Sequence, residues 1–455
     1  MRVAFIRPKP SPSTIGLQHM MVVEPLELEI LATLITPEHK VIIYDMILEA
    51  GNIEDLIKQF NPDVLCLTGY ITHIDVIVQC CKIAKQINKN HTTIVGGVHI
   101  EKFPEDINDE SIDYRVVRNA TRSFPQLIDY IKGNSSFPLG ILKTNELLRE
   151  ELLPDYDFFV PIPNRSFTSK YRSDYFYVFH NKVALIKTSF GCPYTCRFCF
   201  CRKITDDKYH ERPIYDVIKE LETIQEKEIY IVDDDFLLNP NRIREFIRLL
   251  KEKKLQKRFL VYGRADFIVS HPDIIKDFKL CGLRTIIVGL ESFEDNELKG
   301  FDKKTTLSIN EQAIVVLNKY KVDCYAAVIV SPSWSQADFE KAGMIMRRLK
   351  IKFVNLQPLT PLKGTGIDIS DDLLVINRND FARWDLAHIT IKPEKMSVGD
   401  FYKNILKLYD EIIFNPRNLI SHLKYPIHMQ WRMVIGLNKV RNQYKKRIME
   451  AARYE

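Results

Sequence analysis

Four cysteines lie within ten positions of the chain, in the segment SFGCPYTCRFCFCRK at residues 189–203. Cys192, Cys196 and Cys199 have the spacing CxxxCxxC, and Cys201 follows two residues later. On composition alone, such a group of thiols could bind zinc, hold an iron–sulfur cluster or form a redox-active disulfide. Three thiolates on one short loop suit three corners of a cubane cluster and leave its fourth iron open to a substrate.

Zinc is the main alternative for this loop. Structural zinc takes four ligands, usually as two separated pairs, and the sequence has no second CxxC and no HxxxH. Cys201, His180 or His210 could still complete a set of four ligands, so a zinc site stays open on these residues alone.

A site built on this loop also needs residues that are distant in sequence, and strands and helices must bring them to it. The sequence of the second half of the chain predicts such strands and helices. Six strand patterns alternate with helical patterns from residue 183: KVALIKTS, EIYIVDD, RFLVYGRAD, RTIIVGLES, VDCYAAVIV and KFVNLQPL. Six units are too few to close the usual eight-stranded barrel, so we predict an open or partial barrel.

Each of the first five strand patterns ends in distinctive residues. In order, these are the cysteine loop, Asp233–Asp234–Asp235, Arg264 with Asp266, Glu291–Ser292 and Ser331–Pro332. The carboxyl ends of parallel strands meet at one face of a barrel, so the pattern predicts an active site there. Taken singly, the aspartates could cap a helix, and Glu291 could be a buried ion-pair partner.

The first 135 residues predict another set of alternating strands and helices, which builds a parallel sheet covered on both faces. The strand patterns are RVAFIRP, KVIIYDM, DVLCLTG, TTIVGG and, more weakly, DYRVV. A ligand of such a sheet lies outside the carboxyl ends of the strands, here at 8–10, 68–70 and 96–99. No GxGxxG or GxxxxGK[ST] occurs there, which disfavours a dinucleotide or triphosphate, and the Gly96–Gly97 pair could serve only the turn.

Composition sets the remaining limits. We predict a domain over 1–135, a linker over 136–182, the barrel over 183–375 and a helical region over 376–455. Nine cysteines without a disulfide framework, no apolar run of membrane-span length and a strand pattern at the start indicate a cytoplasmic protein. We expect no nucleic-acid partner. The last 45 residues contain nine Lys and Arg against three Asp and Glu. This basic tail is either a solvated helix face, or a substrate lid or a surface for anionic lipid.

The motifs together resemble the radical S-adenosylmethionine (SAM) superfamily over about residues 1–370. The phrase TSFGCPYTCRFC resembles its cluster loop, and VDDDF, GLES and PLTPLKGT resemble later landmarks of the branch that carries an N-terminal cobalamin-binding-type domain. EPLELEILATLI, PDVLCLTGY and IVGGVHIEKFPED resemble segments of that domain. The resemblance implies a doubly wound, Rossmann-like N-terminal domain, a partial (β/α)6 radical SAM barrel and a helical C-terminal region, hence an α/β fold class.

The resemblance also implies roles for single residues. It makes Cys192, Cys196 and Cys199 the [4Fe–4S] ligands and places Phe198 against the adenine side of SAM. The turn Asp233–Asp234–Asp235 would receive the SAM amino group. The remaining implied contacts are Arg264, Glu291 and Lys303 for the SAM carboxylate and ribose, and Thr68, Gly69, Tyr70, Gly96, Gly97 and His99 for cobalamin.

One departure concerns cobalamin. None of the eleven histidines has an aspartate two residues before it, so the DxHxxG motif that supplies an axial histidine is absent. The resemblance then implies either cobalamin bound without histidine ligation or a domain that has lost it. His73 and His99 lie near the ligand edge, where we expect a lone histidine to be a helix cap or a solvated residue.

Three functions follow. The first is a cobalamin-dependent radical SAM C-methyltransferase that acts on an unactivated carbon through a 5′-deoxyadenosyl radical, with flavodoxin or ferredoxin as electron donor. The second is a radical SAM cyclase or rearrangement enzyme without net methylation, and the third is a non-catalytic iron–sulfur protein with a closed four-ligand site. VSPSW and EPLELE resemble segments of lipid- and hopanoid-modifying members, which favours an apolar, isoprenoid-like small molecule as substrate.

Overall fold

A computed structural model describes residues 1–452, and the chain forms two units in it. Unit 1 consists of Met1–Thr14, Glu24–Asp174 and Arg378–Asp385, and unit 2 consists of the remaining described residues. Both units are discontinuous in sequence, so the domain limits given above stay a prediction.

Unit 1 contains a six-stranded sheet. Its strands are β1 Arg2–Arg7, β2 Lys40–Asp45, β3 Val64–Thr68, β4 Thr92–Gly96, β5 Tyr114–Val116 and β6 Ile141–Lys143. They lie in the order β2-β1-β3-β4-β5-β6, and only β6 runs antiparallel to its neighbour. This order reverses direction beside β1, as in doubly wound folds, and all five predicted strands are present.

Helices cover both faces of this sheet. They are α1 Leu26–Ile35, α2 Ile53–Phe60, α3 Ile74–Ile87, α4 Val98–Lys102 and α5 Ala120–Ile131. Because side chains alternate along a strand, Val3 and Phe5 pack with α1 and α5, whereas Ala4 and Ile6 pack with α2 and α3. A strand buried on both faces explains the continuous apolar run of β1.

Unit 2 contains six parallel strands in sequential order. They are β7 Val183–Ile186, β8 Glu228–Ile231, β9 Arg258–Gly263, β10 Leu283–Glu291, β11 Asp323–Val330 and β12 Phe353–Pro358. Within the described chain, β7 and β12 are not paired with each other, so the sheet is an open barrel, as predicted.

Helices follow the barrel strands and continue into the C-terminal region. They are α6 Cys201–Ile204, α7 Ile214–Thr223, α8 Pro240–Glu252, α9 Ala265–Ser270, α10 Pro272–Leu280, α11 Asp295–Gly300, α12 Leu307–Tyr320, α13 Gln336–Arg348, α14 Val398–Ile413, α15 Pro416–His422 and α16 Ile427–Ala451. Edge-to-face ring contacts join α13 to α14 and α14 to α16. None of the helices within residues 1–452 combines the length and the apolar character needed to cross a bilayer.

A short hairpin closes the amino end of the barrel. Its strands are Phe176–Tyr177 and His180–Asn181, and the ring of Tyr177 lies 5.1 Å from the ring of Tyr230 inside the barrel. His180 Nδ1 lies 2.9 Å from a carboxylate oxygen of Glu228, and its Nε2 lies 2.9 Å from the Thr285 hydroxyl. His180 is therefore at the end opposite to the cysteine loop, so it is not the residue that could complete a zinc site there.

Candidate functional site

The cysteine loop starts from an anchor at the carboxyl ends of β7 and β8. Asp233 is buried, and its Oδ1 accepts a hydrogen bond from the Thr188 amide at 2.6 Å. Its Oδ2 accepts hydrogen bonds from the Thr188 hydroxyl and from the Ser189 hydroxyl, the latter at 2.8 Å. Both oxygens of Asp233 are thus used to hold the start of the loop.

The rest of the loop is fixed by backbone contacts. Gly191 has a φ of +74°, and a Cβ there would lie 2.0 Å from the Lys208 carbonyl oxygen, so only glycine fits. The Arg197 amide donates to the Phe301 carbonyl at 2.9 Å, and the Arg197 carbonyl accepts from the Gly366 amide at 2.6 Å. The loop is therefore held from two sides before any cofactor binds.

The four thiols of the loop differ in their surroundings. Burial raises the pKa of Cys192 to about 12 and also raises the pKa of Cys196. A hydrogen bond joins Cys199 to Cys201; it lowers the pKa of Cys199 and, together with burial, raises the pKa of Cys201. In this arrangement the Cys201 thiol is the hydrogen-bond donor to the Cys199 sulfur.

The donor set fits a cubane. Among residues 1–452, no three Cys, His, Asp or Glu side chains converge on a point where one metal ion could lie. The three cysteines of a cubane bind three different irons, so they need to share a loop but not a single point. Cys192, Cys196 and Cys199 are the residues that would hold the cluster.

The two other aspartates of the predicted turn have different environments. Asp234 lies 3.6 Å from the Lys187 ammonium. Asp235 is only 3% exposed, and neither of its oxygens accepts a hydrogen bond of ordinary geometry from the described residues. Burial raises the pKa of Asp235 to about 7, although the charges of Arg264 and Lys303 oppose the rise. A buried carboxylate without donors marks a place where a ligand with N–H groups would supply them.

Arg264 is held rigidly beside the loop. Its guanidinium donates two hydrogen bonds of 3.1 Å to the Asp266 carboxylate and one of 2.8 Å to the Lys303 carbonyl. The same group lies 3.7 Å from the centroid of the Tyr194 ring, within the cysteine loop. The side chains of Asp266 and Tyr194 therefore fix the direction in which this cation can meet a ligand.

Glu291 and Lys303 form a buried ion pair of 2.8 Å. A change of register between Gly289 and Glu291, with a φ of +62° at Glu291, turns this carboxylate at the end of β10. Burial lowers the pKa of Lys303, but the charges of Glu291 and Cys196 and the hydrogen bond to Glu291 together outweigh it, so the net pKa is raised. The ammonium lies 5.7 Å from the centroid of Phe198, which itself contacts Phe301 edge-on.

The structure thus brings the predicted barrel residues to one end of the barrel. Two cations, a carboxylate without donors, an aromatic ring and the thiol loop are arranged there. Sequence reasoning missed four supporting residues: Lys187, Thr188, Tyr194 and Gly289. Lys187 and Thr188 lie at the end of the first strand pattern, and this position could have assigned them to the site. The role of Gly289 depends on a change of register between strands, which no sequence motif shows.

In unit 1 the predicted ligand edge consists of two glycine turns in close contact. Gly97 has a φ of +113°, and a Cβ there would lie 2.5 Å from the Gly69 carbonyl oxygen and 3.0 Å from the Thr68 hydroxyl. Gly96 and Gly69 are half-buried, and Tyr70 is exposed beside them. A turn edge with so few side chains lets a broad, flat ring approach the backbone, which fits a corrin.

The two histidines near this edge are engaged within the protein. His73 Nδ1 accepts a hydrogen bond from the Tyr70 amide, which makes it the cap that we expected. Burial lowers the pKa of His73 to about 4, so this ring is neutral. For His99 our expectation is wrong: it is neither a helix cap nor solvated, because it lies buried within α4 with its Nε2 2.9 Å from a carboxylate oxygen of Asp106. His73 Nδ1 and His99 Nε2 are thus both engaged with groups of the protein.

The aspartates of the β8 turn should affect stability with opposite signs. Asp233→Asn replaces one of the two carboxylate oxygens by an NH2 group, so the hydrogen bonds from Thr188 and Ser189 cannot all be kept, and the free energy of unfolding should fall by about 1.5–3 kcal/mol. Asp235→Asn removes a buried charge and should raise it at pH 8 by at most about 4 kcal/mol. Denaturant titrations of the protein without added SAM measure both changes.

The pH dependence of stability tests whether burial of a charge is the reason why Asp235→Asn stabilises the protein. Folding raises the pKa of Asp235 from 3.8 to about 7, so ionisation of this carboxyl weakens the folded state as pH increases between these values. The advantage of Asp235→Asn should therefore be full above pH 7 and shrink towards pH 4. An equal gain at both ends of this range would mean that burial of the charge is not the cause.

Two family profiles match the chain. The profile described as the Radical SAM superfamily covers residues 186–343, and the profile described as the B12 binding domain covers residues 14–128. The first range includes the cysteine loop and the ends of β7 to β11, and the second includes both glycine turns of unit 1.

Individual proteins agree with these profiles. The hopanoid C-3 methylase of Methylococcus capsulatus is 23% identical over 442 residues, which is 95% of this chain and 81% of that protein. An uncharacterised methyltransferase of Pyrococcus horikoshii is 25% identical over 422 residues, 88% of this chain and 90% of its own length. The radical SAM methyltransferase TsrM of Kitasatospora setae, solved with cobalamin and a [4Fe–4S] cluster, shares the fold with a TM-score of 0.67 at 15% identity, over 97% of this chain and 99% of TsrM.

Proposed function

We propose that this chain, which belongs to the radical SAM superfamily and carries a B12-binding domain, transfers a methyl group to an unactivated carbon of a small apolar molecule. The two families make it an enzyme with three cofactors: a [4Fe–4S] cluster, SAM and cobalamin. The observation that carries the proposal is the combination, in one chain, of an anchored CxxxCxxC loop with a glycine-edged doubly wound sheet.

The residues of the barrel have distinct tasks in this proposal. Cys192, Cys196 and Cys199 hold the cluster, and Cys201 supports Cys199 through its hydrogen bond. The bound cluster would supply the electron that cleaves SAM to methionine and a 5′-deoxyadenosyl radical, and bound cobalamin would carry the methyl group. The protein positions these groups and shields them from water.

The binding of SAM uses the charges around the loop. Asp234 and Asp235 receive its ammonium, since Asp233 already accepts hydrogen bonds with both oxygens. We assign its carboxylate and ribose to Arg264 and Lys303, and the Glu291 carboxylate keeps Lys303 charged. Phe198, next to Lys303, takes the adenine ring.

In unit 1, Thr68, Gly69, Tyr70, Gly96 and Gly97 form the edge that receives cobalamin. The Nε2 of His99 is held by Asp106, which supports binding without a histidine ligand.

We also propose a substrate class, an electron donor and a cellular location for this enzyme. A relative named for methylating a hopanoid supports an apolar, isoprenoid-like substrate. The electron comes from flavodoxin or ferredoxin, because the cluster needs a donor of low potential. The nine cysteines, all without a disulfide, support a cytoplasmic location.

A substitution in the β8 turn tests the binding of SAM. Asp234→Ala should leave the iron–sulfur absorption unchanged and weaken SAM binding by about 1.5–3 kcal/mol, because one charge-assisted hydrogen bond is lost. Equilibrium binding of SAM to the anaerobically reconstituted protein measures this change. If Asp233, Asp234 and Asp235 can each be replaced without loss of affinity, the turn is structural.

The products of turnover test methyl transfer. With cobalamin bound, each methylated product should require two SAM, one giving 5′-deoxyadenosine and the other S-adenosylhomocysteine. Anaerobic reactions with extracts of cells that lack the gene supply candidate substrates, and mass spectrometry detects the added methyl group. The ratio of 5′-deoxyadenosine to S-adenosylhomocysteine should then be about one.

Two results would redirect the proposal. If the protein holds cobalamin and forms 5′-deoxyadenosine without S-adenosylhomocysteine, the chemistry is ring formation or rearrangement. If the protein takes up no cobalamin, the edge of unit 1 has another task, such as binding the substrate.

A further inference from the structure

The C-terminal helices of unit 2 expose a group of large apolar side chains. Among the residues whose burial the structure describes, twenty large apolar side chains are exposed, and seven of these lie within positions 419–435. Six of these exposed side chains define a surface that we call the apolar corner: Ile420, Leu423, Ile427, Trp431, Val434 and Ile435. Clustered exposure of this kind marks an interaction surface, whereas single exposed residues do not.

The first half of α16 is apolar on opposite faces. Met429 and Met433 are buried against Phe179, and Gly436 allows the close approach of the His19 carbonyl. Ile427 and Trp431 lie on the other side and are 67% and 62% exposed. A helix on the surface of a globular domain normally buries one stripe and keeps the opposite side polar. The outer face of this helix therefore needs a second apolar environment.

Charge indicates what that environment is. Residues 416–451 contain eight Lys and Arg and a single acidic residue, Glu450, which gives a net charge of +7. Beyond the apolar corner, the outer face of α16 continues with exposed Lys439, Lys445 and Lys446. Apolar residues that include a tryptophan, followed by a basic polar face, are typical of helices that lie in the interface of an anionic bilayer.

We propose that the apolar corner and the adjoining basic face of α16 dock the protein on an anionic lipid surface. The corner enters the boundary between headgroups and acyl chains, and the lysines remain at the level of the phosphates. A second copy of the chain fits less well, because a symmetric contact would bring the exposed Lys439, Lys445 and Lys446 of one copy close to those of the other. The inference does not rest on methyl transfer.

The tryptophans make this contact directly observable. The chain has three, and Trp334 and Trp384 are each only 4% exposed, whereas Trp431 is 62% exposed. A shift of tryptophan emission to shorter wavelength therefore reports on Trp431. The full-length protein should show this shift on vesicles of phosphatidylcholine with phosphatidylglycerol, and should bind them at least about tenfold more tightly than vesicles of phosphatidylcholine alone. Added salt should weaken the binding.

Substitutions test separately what the apolar corner and the basic face of α16 contribute to lipid binding. Ile427→Ser with Trp431→Ser should reduce co-sedimentation with the mixed vesicles by about tenfold or more, because two inserted side chains are lost. Lys439→Gln with Lys445→Gln should reduce the preference for anionic lipid. The matched control is Leu280→Ser, which removes an equally large and exposed apolar residue at the end of α10 and should bind vesicles as the parent does.

Two outcomes would overturn the proposal. One is an emission spectrum and a sedimented fraction that do not change with mixed vesicles. The other is a shift to shorter wavelength that grows with protein concentration without any vesicles, together with a dimer in sedimentation velocity, because the corner would then be a contact between two copies. Trp431→Phe should keep vesicle binding and lose the emission shift, which confirms the assignment of the signal.

Discussion

Replacement of Cys192, Cys196 or Cys199 by alanine should remove the iron–sulfur absorption and abolish SAM cleavage. Each supplies one iron ligand, and the loop is anchored at Asp233 and Arg197, so it cannot move to offer another. Anaerobic reconstitution, followed by absorption spectra, iron analysis and assay of 5′-deoxyadenosine, measures the loss. We expect no residual cleavage above background.

Cys201→Ala is the matched control, since Cys201 lies in the same segment and is joined to Cys199 by a hydrogen bond. This variant should keep the cluster and SAM cleavage, with a changed reduction potential because a donor to the Cys199 sulfur is gone. Complete loss of the cluster in Cys201→Ala would mean that all four irons have protein ligands, and SAM could then not bind to an open iron.

Much of the fold could be predicted from periodicity. The strands of both sheets are mostly short apolar runs bounded by turn residues, and the central strands β1 and β3 of unit 1 are buried on both faces, so their apolar signal is continuous. Because neighbouring strands of a parallel sheet run in the same direction, their carboxyl ends lie at the same edge of the sheet, and no further information is needed to predict this. For this reason Asp235, Arg264 and Glu291 could be assigned to one site although they are far apart in sequence.

The chemical roles within that site could not be predicted in the same way. Asp233, Asp234 and Asp235 are identical in type and adjacent, yet one anchors the loop, one faces Lys187 and one is buried without donors. The difference arises from the direction of each side chain as the chain leaves β8, which sequence does not show. The same holds for His180, whose place at the amino end follows from a hairpin too short to give a period.

A second large effect is expected at the buried ion pair of Lys303 and Glu291. Lys303→Met would leave the Glu291 carboxylate buried without its partner, which costs about 3–5 kcal/mol of unfolding free energy. SAM cleavage should also be lost, because Lys303 is proposed to meet SAM. Denaturant titration and the 5′-deoxyadenosine assay measure the two losses separately.

A double variant separates stability from function. Lys303→Met with Glu291→Leu removes both charges from the same buried position and should restore most of the stability, because apolar groups of similar size can replace a buried ion pair. It should not restore SAM cleavage. A double variant that cleaves SAM at the parent rate would show that the pair only supports the fold, and the SAM carboxylate would then depend on Arg264.

Gly289→Ala tests the same pair without changing any charge. An added Cβ would lie 2.2 Å from a Glu291 oxygen and 2.7 Å from the Lys303 nitrogen, so the pair must move away from its present position beside Phe198. We expect cluster content to be unchanged and SAM cleavage to fall by at least about 100-fold, which corresponds to about 2.7 kcal/mol of lost transition-state stabilisation. The control is Gly300→Ala, because a Cβ at Gly300 would meet nothing within 4 Å. If both alanine variants cleave SAM equally well, the position of the ion pair does not matter to catalysis, and the tight fit at Gly289 serves packing alone.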